Sequence, residues 1–134
     1  MQKEIMNVEK IEYRKQAAVD FLQLVVKGLI DEAYQKYINE QKGKHHNPFF
    51  PAGFPALKQG MKENHEQMPK KQLTVRHVLA DGKIVAVHSE LVLARDGSNM
   101  RTVHLFRFED DRVVELWDMG QELPVNSPNK DGAF

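Results

Sequence analysis

The chain has 134 residues, 28% of them charged, and its 19 Lys and Arg offset its 19 Asp and Glu. That length builds one domain with a core of its own, and the charge balance leaves no pull toward nucleic acid or an anionic membrane. The absence of Cys excludes disulfides, thiolate metal sites and cysteine nucleophiles.

No apolar run approaches the roughly 18 residues a membrane span needs, and Met1 to Lys10 lacks the apolar stretch of a secretion signal. The expectation is a single cytoplasmic domain over 1–134, with 1–8 flexible. Residues 9–27 read as a helix. Ala17, Ala18, Phe21, Leu22 and Val25 recur at helical spacing, and Gly28 is the stop. Asp31 is placed to cap a shorter helix ending near Ile38, with Ala33, Tyr34 and Tyr37 on its apolar side. Lys42 to Pro55 then holds three Pro, two Gly and three Phe. Pro and Gly punctuate a loop, but the Phe content predicts that it folds back onto the body. Ala56 to Gln67 reads as a third helix, ended by Pro69.

From Lys71 the period becomes two. Strands are expected from Lys71 to Ala80, Ile84 to Ala94, Met100 to Phe108 and Arg112 to Met119, with turns at Asp81-Gly82, Asp96-Gly97 and Glu109 to Asp111. The segment 120–134 reads as an irregular tail, with Phe134 as its anchor. Three helices followed by an antiparallel meander make an α+β fold. The helices cover one face of a strongly curved sheet, giving a cone with an internal pocket suited to a ligand.

The last hairpin carries the chemistry. Thr102, His104, Phe106 and Phe108 share one face of its first strand; Val114, Leu116 and Asp118 share one face of its second. A carboxylate among apolar neighbours is suited to general acid/base work. The bland alternative for Asp118 is a strand-end carboxylate capping a turn; for His104 it is a core histidine. Folding the hairpin about Asp110 pairs residues whose numbers sum to about 220 or 221, which makes Asp118 and His104 diagonal neighbours. His88 faces either the cavity or the surface. Trp117 falls on the outer face with Val113, Glu115 and Met119. His45-His46-Asn47-Pro48 lacks the spacing of a metal motif, and its better reading is a pocket mouth or a simple turn. No phosphate loop, nucleophile elbow or basic aromatic stripe is present.

His45 to Pro55, Leu57-Lys-Gln-Gly, and Val103 to Asp118, closing on Glu115-Leu-Trp-Asp, together resemble the SnoaL-like polyketide cyclases of the nuclear transport factor 2-like superfamily. The resemblance runs from about residue 12 to 126. Asp111 stands where relatives often carry a turn glycine. The resemblance implies the cone, and a homodimer through the outer sheet face that would employ Trp117 and Met119. It implies cofactor-independent acid/base chemistry, an aldol-type cyclisation or related enolisation, on a small hydrophobic carbonyl compound. Asp118 would be the acid/base and His104 its partner. His46, Asn47, Phe49, Phe54, His88 and Phe106 would contact substrate. No metal or organic cofactor, nucleic acid or membrane partner is expected. A non-catalytic small-molecule binding module of the same fold is the alternative.

Overall fold

The computed structural model describes residues 1–94 and 97–134. Helices α1 (Gln2–Val26), α2 (Ile30–Tyr37) and α3 (Phe54–Gln67) precede the main sheet, with a short strand β1 (Lys44–His45) between the last two. Strands β2 (Gln72–Asp81), β3 (Ile84–Val92), β4 (Asn99–Glu109) and β5 (Arg112–Glu122) follow. The sheet order is β1-β5-β4-β3-β2. Four strands form the expected antiparallel meander; β1 joins its β5 edge in parallel and makes the sheet mixed. The predicted turn at Asp96-Gly97 lies partly outside the described residues, and Gly97 adopts φ 82°.

Boundaries differ from expectation in instructive ways. α1 begins at Gln2, not after a flexible 1–8 segment, although residues 1–10 are exposed throughout. Asp31 sits in the first turn of α2 rather than capping it, and Leu29 takes the cap position. Lys58 and Lys62 pair with Asp31 at 3.2 and 2.8 Å, tying α2 to α3. The irregular tail starts only after Glu122. Its Phe134 ring lies over the outer face, 5.7 Å from His88 and 5.1 Å from the Arg76 guanidinium.

The core lies between helices and sheet. Ala17, Ala18, Phe21 and Leu22 of α1 meet Val85, Val87, Phe106 and Phe108. Phe21 takes Tyr34 and Phe106 edge-on, at 5.3 and 5.8 Å. Polar ties fix the tilt of α1: Tyr13 donates to the Asp111 carbonyl at 3.2 Å and Arg14 to the Gly82 carbonyl at 2.9 Å. One helix thus reaches the β2–β3 and β4–β5 turns.

α1 ends as its sequence predicts. Gly28 N–H bonds the Val25 carbonyl, Leu29 N–H bonds the Leu24 carbonyl, and Gly28 has φ 86°. This is a Schellman stop, whose left-handed residue favours glycine. A Cβ at Gly28 would also run into the His65 imidazole of α3. Gly28→Ala should therefore lower stability by at least about 1–2 kcal/mol, the left-handed penalty alone. Urea denaturation checks this, and an unchanged midpoint would contradict it.

Candidate active site

His104 and Asp118 face each other directly, as cross-strand partners on β4 and β5. They are not the diagonal neighbours expected from the hairpin arithmetic. The cause is a bulge: Phe108 pairs with Val113 but Arg107 pairs with Glu115, leaving Val114 as the extra residue. The bulge also puts Val113, expected outside, in the core cluster, beside Leu116.

On its other side His104 pairs with Val87 of β3. Its side chain is half-buried, but Nδ1 is sealed from solvent with no hydrogen-bond partner among the described residues. Burial pushes the imidazole below its ordinary value of 6.5, and the Asp118 carboxylate only partly opposes this. Folded His104 is therefore neutral where the unfolded chain already takes up a proton. The unfolded state binds more protons below about pH 6.5, so stability falls as the pH drops through that window. Asp20, Asp31 and Glu115, all held below their ordinary values, lose their contributions only under more acidic conditions. His104→Gln should flatten the stability profile as the pH falls below about 6.5. Equal slopes in denaturation series on the two proteins would refute this.

The parallel strand β1 supplies the third member. Lys44 pairs with Glu115 and His45 with Leu116, an offset of 71 in sequence. Carried on, the same offset sets His46 against Trp117 and Asn47 against Asp118. His46 indeed stacks on Trp117 at 5.1 Å, and Asn47 Nδ2 donates to Asp118 Oδ2 at 2.8 Å. Alternation along an extended strand sends neighbours to opposite faces. Asn47 thus reaches the inner carboxylate while His46 goes outside, where its Nε2 donates to Glu115 Oε2 at 2.6 Å. Burial works to raise the Glu115 carboxyl, but hydrogen bonds from His46 and Arg107 hold it below its ordinary value.

His45, which is not among the expected substrate contacts, fixes this arrangement. Its buried ring donates from Nε2 to the Pro51 carbonyl at 2.7 Å, which leaves Nδ1 to accept the Asn47 N–H at 3.1 Å. Asn47 Oδ1 accepts the Phe49 N–H at 2.9 Å. With both ends of its amide engaged, Asn47 has one orientation toward Asp118.

Asp118, His104 and Leu116 form the sheet side of a cavity of about 40 Å³. Phe21, Leu22, Val25, Tyr34, Leu57 and Met61 form its helix side. That volume is room for only a few waters. A compact reacting group fits; a larger molecule needs α1 or α3 to shift around Val25 and Met61. Burial pushes the Tyr34 phenol well above its ordinary value, with the Glu40 and Asp118 charges adding to the effect, so it stays a neutral donor.

Several expected substrate contacts lie elsewhere. Phe49 is 87% exposed. Phe54 is fully buried in the core against Tyr34 and His45, at 6.2 and 6.4 Å. Phe106 is also fully buried, stacked behind His104 at 6.2 Å. His88 faces outward, stacked on His77 at 5.2 Å, and lines a separate open concavity of about 260 Å³ with Arg101, Val103, Met119 and Gln121. That larger concavity lies across the sheet from the carboxylate. It is the more open of the two, and Asp118 and His104 line only the smaller one. Among the described residues no helix is long and apolar enough to cross a membrane.

The fold has many solved counterparts. An NTF2-like protein of unknown function from Burkholderia xenovorans superposes with a TM-score of 0.68 at 19% identity, over 92% of this chain and 91% of its own. A candidate ketosteroid isomerase from Kribbella flavida gives 0.67 at 21% identity, over 90% and 87%. A SnoaL-like polyketide cyclase from Agrobacterium tumefaciens gives 0.66 at 11% identity, over 81% and 91%. Identities this low speak for the fold alone. No curated protein sequence matches the chain. Residues 35–116 match the SnoaL-like domain, a span that takes in β1, α3 and His104 and stops just short of Asp118. With more than half of its length matched, the chain belongs to the SnoaL-like domain family.

Proposed function

We propose that this protein is a cofactor-independent acid/base enzyme acting on a small hydrophobic carbonyl compound. The observation that carries the reading is the Asp118 carboxylate, oriented by Asn47 and directly opposite a neutral, desolvated His104 at the wall of a small, mainly apolar cavity. Asp118 removes a proton from a carbon flanked by two carbonyls, whose electron withdrawal makes it acidic without a metal. The electron pair moves onto one carbonyl oxygen as an enolate. A ring N–H of neutral His104 donates a hydrogen bond to that oxygen, with the Tyr34 phenol as a second donor within the same lining. The enolate carbon then bonds to the carbon of a third carbonyl further along the same molecule, whose C=O π pair moves onto its oxygen. The alkoxide formed takes its proton back from Asp118, and the base is restored. In the simpler isomerisation, the proton returns to a carbon instead.

The cavity size supports a compact substrate or a reacting end of a larger one. The reading includes a homodimer through the outer sheet face, where Met119 is 51% exposed beside the His88 concavity. The test is proton–deuterium exchange and cyclisation on a panel of β-dicarbonyl compounds, with wild type and Asp118→Asn compared by NMR. Exchange by wild type alone supports the enzyme. Ligands that bind both proteins equally and leave unchanged would favour a binding module.

A further inference from the structure

Next to the catalytic row of the sheet lies a second row with an unusual content. Val87, His104 and Asp118 are cross-strand partners; two residues further along, Ser89, Thr102 and Gly120 are partners in the same way. Strand alternation puts both rows on the inner face, about 7 Å apart. Ser89 is 0% exposed and Thr102 is 6% exposed, and neither Ser89 Oγ nor Thr102 Oγ1 has a hydrogen-bond partner among the described residues. His104 Nδ1, on the adjoining row, is another of the five such atoms among the described residues, the remaining two being Arg14 Nε and His65 Nδ1. Buried hydroxyls without partners weaken a fold, and Ala or Val would fill these places at less cost. Gly120 completes the row with no side chain, and the Met100 methyl group packs where its Cβ would stand.

We infer that Ser89 and Thr102 form a polar subsite that receives a second oxygen function of the substrate, a hydroxyl or carbonyl several bonds from the carbon facing Asp118. This deepens the enzyme reading, since it rests on Asp118 marking the reacting end. It narrows the substrate class to oxygenated carbonyl compounds with oxygen at both ends, and excludes simple hydrocarbon ketones as the preferred ligands. A hydroxyl can donate to one side chain and accept from the other, because Ser and Thr offer both roles.

The test uses two probes, hexane-2,4-dione and its 6-hydroxy derivative, with wild type and the Ser89→Ala/Thr102→Val double variant. Wild type should prefer the hydroxylated probe by about three- to tenfold in KM for C3 proton exchange, the loss expected for a removed hydrogen bond. The double variant should lose that preference and melt no lower than wild type. Equal KM values for both probes in wild type would overturn the subsite. So would a double variant that melts markedly lower, because the hydroxyls would then be serving the fold. Thermal shifts with both probes on Asp118→Asn separate the two ideas. If wild type exchanges neither probe, the base reading falls, yet selective stabilisation by the hydroxylated probe still upholds the subsite. Equal shifts with both probes overturn it.

Discussion

Asp118→Asn should lower turnover of a β-dicarbonyl substrate by about 10²–10⁴-fold, the usual contribution of a positioned general base. The amide keeps the shape of the carboxylate and can still accept the Asn47 hydrogen bond, now made to Asp118 at 2.8 Å. What it loses is the lone pair that takes the proton. The fold should be unaffected, because Asp118 makes no salt bridge among the described residues. A second readout separates chemistry from structure. The Asp118 charge raises the His104 imidazole against the stronger effect of burial. Removing it should move the His104 titration further down, seen in the imidazole NMR signals. Full turnover by the Asn variant, with the wild-type enzyme active, would sink the base assignment.

The second large effect is on stability. Phe54→Ala should cost about 3–5 kcal/mol, the range for emptying a buried aromatic site. Phe54 is fully buried at the start of α3, holds Tyr34 edge-on, and leaves no room for a Cβ on Gly43. That loss is a large share of the roughly 5–15 kcal/mol a domain has. Phe49→Ala, five residues earlier and 87% exposed, should change stability by less than about 0.5 kcal/mol. The pair of urea midpoints decides whether this loop's aromatic residues act as core or as solvent-facing surface. A small loss at Phe54 would mean that the site collapses around the cavity. The Phe54 variant should also loosen His45, which stacks near it, and through His45 the Asn47 that orients Asp118.

Most of the architecture was legible in the chain. Helical spacing around Phe21 and Leu22, the stop at Gly28, the change to period two at Lys71 and the turn residues Asp81-Gly82 all correspond to observed elements. These signals are local: each depends on residues within a turn or a few strand positions. Parity along β4 and β5 likewise put His104 and Asp118 on one face. The tight turn explains Asp110 and Asp111 at φ 48° and 63°, conformations that short polar residues tolerate.

What the chain alone did not disclose is contact across distance. The bulge at Val114 turned a diagonal pair into a direct one, and no period-two pattern marks where an extra residue is inserted. The strand Lys44–His45 is two residues long inside a loop rich in Pro and Gly, too short for any periodicity. Its parallel register with β5 nonetheless decided which of two adjacent side chains serves the site. His46 went outside to Glu115 and Trp117; Asn47 went inside to Asp118. The elements, their order and the chemistry available on each face follow from local residue patterns. Which groups meet follows from the register between strands, set by packing and hydrogen bonding with partners far away along the chain.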